Sequence, residues 1–452
     1  MGNNLLRGRA ELIVVDGPLA GIHIHRIAIH LLCGVALAAV LILAFRAPLY
    51  EPYQEGTEYA AMAKGDGSHL HSYYAGRVLH PLAVRALAQI LHRTPDAAVF
   101  RMMSEISLIV VFAALSVYYA IEGCSWVLLF FAATPILIDQ YRNYYWADLF
   151  YLAVWLVFLL LLRWNIWLSL PMVLALYLTR ESTIMLVASL FIVAVLQGKR
   201  LFAAGSLVTG LGGASLVSLR VSAALPNAHG ISVWMLDLLK IPFNFALNIL
   251  GISLWTNTIA TTNLPPVRSF KLPNFLQVGN IVQVGYIDWS WARPAALALF
   301  VIAAFGALPA IVFRRRGIGS MGNERTDVAV SRLFGGLMLL LTPLAGTTPA
   351  RYILYAAPLF WIAGAERMKS WSWRQILPLA GLSLAIAWFP VFVRLVGDRG
   401  YIFSISLLPT TPAELLVSLA LPLLGWHALS GRIDANSQTS NDAVCRTSNG
   451  GH

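Results

Sequence analysis

The sequence predicts an all-α fold, a polytopic transmembrane helical bundle of about twelve spanning helices. Three observations carry this. Apolar runs of roughly 15–20 residues recur to the end of the chain, and about 20 apolar residues cross a hydrocarbon core. The runs are continuous, without the period-two alternation of a membrane barrel, so helices are the spanning option. Hydrophobic residues make up 58% of the 452 positions and charged residues only 12%, with a mean hydropathy of +0.70. Such a composition leaves too little polar surface to cover soluble domains. Residues 1–435 read as a single transmembrane domain and 436–452 as a disordered polar tail.

Taken in order, the first 26 residues are polar and contain Glu11 and Asp16. The apolar run that follows comes too late for a cleaved signal, so 27–45 reads as an uncleaved first span. A polar loop comes next, YEPYQEGTEYAAMAKGDG over 50–67, with Glu51, Glu55, Glu58 and Asp66. Arg77 then opens an amphipathic helix in this first outer loop, with Val78, Leu79, Leu82, Val84 and Leu87 on its apolar side and Pro81 in its first turn. Spans follow at 103–121, 123–138, 147–162, 165–178, 183–196 and 201–222. The long stretch 223–293 contains Ile241–Thr256, expected as a re-entrant or interfacial helix. The last spans are 294–313, 332–346, 352–366, 374–393 and 412–429. Several fall short of 20 residues, which predicts tilt or partial burial in the bundle.

Basic residues orient the chain. With a cytoplasmic N-terminus, the short inner loops carry Arg163, Lys199, Arg200, Arg314–Arg316, Arg367, Lys369 and Arg374, and the tail returns inside with Arg432. Both termini are then cytoplasmic, in a multi-pass protein of the cell inner (plasma) membrane, provided that Ile241–Thr256 does not cross. Arg77, Arg142, Arg180, Arg351 and Arg394 fall at or near outer helix ends. A guanidinium there is costly unless it meets an anion, and lipid phosphate matches its forked donor set.

Five motifs stand out, each with a bland alternative. The acidic loop, with Glu55, Glu58 and Tyr59, offers a carboxylate that takes a proton from a sugar hydroxyl, or is an ordinary solvated loop. Arg77 binds phosphate at a helix start, or snorkels to the interface. The aromatic loop Asp139–Asp148 suits sugar rings or a membrane aromatic belt, and Asp148 opens the next helix, where the dipole favours a carboxylate. In Thr179-Arg180-Glu181-Ser182, the charged neighbours line a cavity or form a weak surface pair. Arg351-Tyr352 opens a late helix, reaching the same phosphate or snorkelling beside a belt tyrosine. Cys33, Cys124 and Cys445 suggest neither a disulfide frame nor a metal site. His69 and His71 lack a completing pattern, so no metal and no cofactor is expected. No Gly-rich phosphate loop is visible, and nothing points to nucleic acid.

These motifs together resemble the GT-C type membrane glycosyltransferases. Glu55-x-x-x-Tyr59-x-x-Met62-Ala63-x-Gly65 is similar to the family's acidic-x-x-x-Tyr-x-x-Ile-Ala-x-x-Gly pattern. Arg77-Val-Leu-x-Pro81 resembles its Arg-x-Leu-x-Pro element, Arg180-Glu181-Ser182 its Arg-Glu-Ser, and Ala350-Arg351-Tyr352 the Arg-Tyr of a late helix. The order spans residues 27–366. The chain departs from the family in having Glu where many members have Asp, no Asp-Glu doublet, a glycine one residue early and no large outer domain. The resemblance implies an inverting, metal-independent hexosyl or pentosyl transferase of the cell envelope. It would use a polyprenyl-phosphate sugar donor and a glycan, lipid or protein acceptor at the outer, periplasmic face of the bilayer. It implies Glu55, or nearby Glu58, as the catalytic base, and Tyr59, Arg77, Asp148, Arg180, Glu181, Arg351 and Tyr352 as substrate-binding residues. The alternatives are a lipid-linked saccharide transporter or flippase, a polysaccharide polymerase or ligase, and a non-catalytic subunit of an envelope assembly. Transport calls for charges deep in the helices, and Glu105 is the main one the expected spans contain.

Overall fold

The computed structural model describes residues 24–53, 55–66, 73–224, 241–242, 244–256, 268–271, 277–278, 282–289, 292–312, 324–344, 349–397, 413, 416–420 and 422–425. The first half comprises α1 (Ile24–Phe45), α2 (Glu55–Lys64), α3 (Leu79–Ile90), α4 (Ala97–Ile121), α5 (Pro135–Arg142), α6 (Asp148–Trp164), α7 (Leu170–Tyr177), α8 (Thr183–Leu196) and α9 (Arg200–Ala224). The second half comprises α10 (Ala292–Phe305), α11 (Leu308–Val312), α12 (Thr326–Leu341), α13 (Pro349–Tyr355), α14 (Ala357–Arg367) and α15 (Trp373–Gly397). Among the described residues, five helices are long and apolar enough to cross a membrane: Ile24–Phe45, Ala97–Ile121, Arg200–Arg220, Thr326–Leu344 and Trp373–Val391.

Several apolar runs that read as single spans are broken, each for a local reason. The run 123–138 begins with Gly123 at φ 75, forms a tight 3-10 helix over Trp126–Ala132 and restarts as α5 at Pro135. Thr134 between them is extended, at ψ 155, because a residue before proline is pushed out of the α region. The run 165–178 is helical only from Leu170; the Asn165 side chain accepts from the Trp167 N–H at 2.9 Å and holds a turn instead. The run 294–313 splits into α10 and α11 at Gly306, whose φ of 53 ends the first helix. The run 352–366 splits at Ala356, since Pro358 has no N–H to give the carbonyl of Leu354. The tail 436–452 and part of the last span, 412, 414–415, 421 and 426–429, lie outside the described residues.

The expectation of an interfacial helix over Ile241–Thr256 is corrected. Residues 244–249 are helical, but Gly251 at φ 69 turns the chain out of that helix. The β-branched and aromatic segment that follows forms β1 (Ile252–Thr256). β1 pairs antiparallel with β4 (Val282–Trp289), Ile252 facing Trp289. β4 also pairs with β2 (Arg268–Lys271) and β3 (Gln277–Val278). This small sheet is an appendage of a helical bundle.

Close helix approach is set by small residues, as expected where lipid tails compete with apolar side chains. A Cβ on Gly34 in α1 would meet Ser116 Oγ of α4 at 2.0 Å and the Phe112 carbonyl at 2.8 Å. Gly213 of α9 lies against the Tyr177 ring of α7 in the same way. The large core centres on Trp155, Phe158 and Phe334, with Phe305 and Phe360 rings 4.1 Å apart nearby. A smaller core of Tyr59, Val84, Phe100, Met103, Tyr144 and Tyr145 joins α2, α3, the start of α4 and the loop before α6. His80 completes it, its ring against Tyr59, Phe100 and Phe150. Burial pushes this imidazole down to about 3, so it packs as a neutral ring.

The two ends of α4 carry opposite halves of the protein's polar machinery. At its C-terminal end the buried Glu122 pairs with Arg163 at 3.0 Å, with Arg325, and with Lys369 at 3.7 Å. Arg325 also bonds the Tyr118 hydroxyl at 2.7 Å and Asp327 at 3.1 Å. The helix is 25 residues long, about 37 Å at 1.5 Å per residue. Arg163 and Lys369, expected on the inner side, are thus held at one end, and the acidic loop packs at the other.

Glycine substitutions test the packing. Gly34→Ala and Gly306→Ala, the latter with Ser383 O only 2.4 Å from the new Cβ, should each lower the melting temperature of the detergent-solubilised protein, by about 1–3 kcal/mol of stability. Gly212→Ala and Gly336→Ala, with nothing within 4 Å of the added carbon, should be neutral or raise it by about 0.5–1 kcal/mol.

Candidate functional site

The site is assembled at the N-terminal ends of three helices. Glu55 is the first residue of α2, Asp148 the first of α6, and Arg351 lies in the first turn of α13. Carboxylates at helix starts meet the positive end of the helix dipole. Arg77 precedes α3, in a segment tied to the Arg180 turn by the Leu79 N–H, which donates to the Leu178 carbonyl at 2.9 Å. Arg180 and Glu181 occupy the turn between α7 and α8.

These side chains form one ionic cluster, buried except at Glu181. Arg77 donates from Nε to Glu181 Oε2 at 2.8 Å and from Nη2 to Glu181 Oε1, a two-pronged contact. Its Nη1 donates to Glu55 Oε2 and to the Tyr59 hydroxyl, both at 3.2 Å. The guanidinium lies over the Tyr74 ring, 4.7 Å from its centre. Arg180 donates to Asp148 Oδ2 at 2.6 Å, and the Tyr355 hydroxyl donates to Asp148 Oδ1. Arg351 sits 4.0 Å above the Trp146 ring and reaches both acids, with Nη1 2.5 Å from Glu55 Oε1 and Nε 3.5 Å from Asp148 Oδ2. Arg180 Nη2 is 3.9 Å from Glu55 Oε1. Three arginines therefore face three carboxylates, and the cluster is formally neutral.

Neutral does not mean saturated. Glu55 Oε1 has two guanidiniums close by as ion-pair partners, neither contact aligned as a hydrogen bond. Arg180 Nε makes no hydrogen bond, and Arg351 Nε has only the long contact to Asp148. Unsatisfied polar atoms are rare in folded proteins, because each forfeits its hydration without replacement.

The structure thus brings together Glu55, Tyr59, Arg77, Asp148, Arg180, Glu181 and Arg351. The snorkelling alternative does not hold for Arg77, which is buried, and the weak surface pair does not hold for Arg180 and Glu181, which pair with separate partners rather than with each other. Tyr352 sits beside the cluster, its ring 5.9 Å from that of Tyr355, while the hydroxyl that bonds Asp148 belongs to Tyr355. Glu58 is partly buried one turn along α2, and the carboxylates described on the arginines are Glu55, Asp148 and Glu181. Tyr355 is not among the expected site residues, and Trp146 belongs to the aromatic loop Asp139–Asp148. The signal for Tyr355 was its spacing of four from Arg351, which places both on one helix face. Among the described residues, no group of three or more His, Cys, Asp or Glu is placed to hold a metal ion; His69 and His71 lie outside them.

Electrostatics follow from the contacts. Desolvation acts to raise the Glu181 carboxyl, but the Arg77 guanidinium outweighs it and holds the group down at about 2. Asp139, at the rim on α5, goes the other way. Burial pushes it up to about 7, against the Gln140 amide that donates to it at 2.8 Å and the Arg351 and Arg142 charges.

No family model, curated protein or solved structure matches the chain.

Two measurements check this arrangement. Asp148→Asn leaves Arg180 buried without its closest carboxylate, and should cost on the order of 3–5 kcal/mol in a thermal or denaturant melt. Asp139 binds its proton more tightly folded than unfolded, so its contribution is full below pH about 4 and is lost as pH rises towards about 7. The melting temperature of Asp139→Asn relative to wild type should therefore rise between pH 4 and pH 8.

Proposed function

We propose that the protein is an integral membrane glycosyltransferase of the GT-C type. It transfers a sugar from a polyprenyl-phosphate donor to an acceptor hydroxyl at the outer face of the plasma membrane, with both termini cytoplasmic. The carrying observation is the convergence of the buried carboxylate Glu55 with Arg77, Arg180 and Arg351 in one cluster, a proton acceptor beside three phosphate-matched guanidiniums. An acceptor hydroxyl and a phosphate supply the complementary donor and acceptors. The broken helices also cross in this scheme, giving about twelve spanning segments.

The chemistry is a single displacement. The acceptor O–H gives its proton to Glu55 Oε1. The oxygen forms a bond to the anomeric carbon from the face opposite the phosphate. The carbon–oxygen bond to phosphate breaks, and its electron pair leaves on the polyprenyl phosphate. Charge growing on that oxygen is stabilised by fixed guanidiniums, which is where such a site gains most. Asp148 and Tyr355 position Arg180, and Trp146 positions Arg351.

Glu55→Gln should abolish sugar transfer in membranes, a fall of at least about a hundredfold, with the protein still folded and inserted. Glu58→Gln should keep most of it. Transfer that survives Glu55→Gln and is lost in Glu58→Gln would move the base to Glu58, and transfer surviving both would remove it from this loop. If purified protein moves labelled lipid-linked sugar across liposomes and transfers none, a flippase is the correct assignment.

A further inference from the structure

Three carboxylates balance the three arginines, but they are not equivalent. The side chains of Glu55 and Asp148 are 2% and 0% exposed, whereas that of Glu181 is 51% exposed. Glu181 is also the one that takes Arg77 by its forked edge, Nε and Nη2 together. That edge is the part of a guanidinium best matched to two phosphate oxygens. Glu181 lies in the α7–α8 turn rather than within a helix, so its side chain can swing into water with its charge still solvated. Glu55 and Asp148 cannot leave without burying an unpaired charge elsewhere.

Charge count points the same way. With all three acids in place, adding a phosphate makes the cluster net negative in a buried setting, at high cost. With Glu181 withdrawn, the remaining groups sum to +1, which matches the single charge of a phosphodiester. Protonation does not release Glu181 near neutral pH, because Arg77 keeps its carboxyl ionised.

We infer that Glu181 is a resident anion that occupies the phosphate seat on Arg77 in the empty protein and is displaced by the phosphate of the lipid-linked ligand. This rests on the phosphate-binding part of the proposed function. Glu181 then sets affinity by competition: it keeps Arg77 ordered and neutralised between turnovers, and its return helps to expel the product phosphate. Sequence alone grouped Glu181 with the substrate-binding residues; the geometry makes it the substrate's rival.

The test is direct binding to detergent-solubilised full-length protein, comparing wild type with Glu181→Gln and Glu181→Ala. The probes are farnesyl phosphate, farnesol and inorganic phosphate. If Glu181 fills the seat in about nine molecules of ten, its removal tightens farnesyl phosphate roughly tenfold, with farnesol unchanged. A gain for inorganic phosphate as well supports the shared phosphate chemistry, and a gain for inorganic phosphate alone keeps the competition but overturns a lipid source. Equal or weaker binding of farnesyl phosphate by both variants, with melting temperatures near wild type, overturns the inference and leaves the phosphate site intact. If Glu181→Gln does not fold, Glu181→Ala carries the same expectation, and failure of both to fold makes Glu181 structural and overturns the inference. If wild type and variants all fail to bind farnesyl phosphate and inorganic phosphate, the phosphate reading itself falls and the inference falls with it.

Discussion

The structure depends on neutralising three guanidiniums in a place with almost no water. Arg77, Arg180 and Arg351 come from three distant parts of the chain and converge within a few ångströms. Each is delocalised and always charged, so none can escape by losing a proton. Glu55, Asp148 and Glu181 must therefore be brought to them, and that demand fixes how α2, α6, α13 and the α7–α8 turn meet. Removing one carboxylate leaves a bare charge, whereas the intact set is close to balance. The aromatic surroundings fit this need. Tyr74 and Trp146 cover the cations with ring faces, which are mildly attractive to positive charge and admit little water.

A second ionic knot holds the other end of the bundle. Glu122 draws Arg163, Arg325 and Lys369 together at the C-terminus of α4. Its acid is satisfied from several sides, and Arg325 is shared with Tyr118 and Asp327. The two knots differ in kind. The Glu122 carboxylate takes hydrogen bonds at both oxygens, from Arg163 and from Arg325, as a structural clamp should. At the Glu55 cluster three guanidiniums share two buried carboxylates and the half-exposed Glu181.

Much of this was legible in residue order. The continuous apolar runs announced helices, and α1, α6, α8 and α9 lie close to where those runs fall. The excess of carboxylates after the first helix, and the arginines at expected outer ends, mark out Glu55, Arg77, Arg180 and Arg351 in the sequence. The segmentation of the longer runs was harder to see. Pro135, Gly306 and Pro358 interrupt hydrogen bonding inside stretches whose hydropathy is uninterrupted, and a window average hides a single missing N–H or one left-handed residue. The strand Ile252–Thr256 was missed because its short apolar run suits a helix as well as a strand.

By itself the sequence determined that this chain is mainly helical, with helices long and apolar enough to cross a membrane, and which rare charges it must accommodate, because hydrophobic composition and the scarcity of ionisable residues are properties of the chain. Only the tertiary structure decided how those charges are shared. Arg180 turns from its sequence neighbour Glu181 to Asp148, and Glu181 turns to Arg77, over separations of 32 and 104 residues. Neighbours in a turn point apart, and partners are chosen by where helix ends meet. For the same reason Tyr355, and not Tyr352, holds Asp148: four residues along a helix return to the same face, and one residue does not.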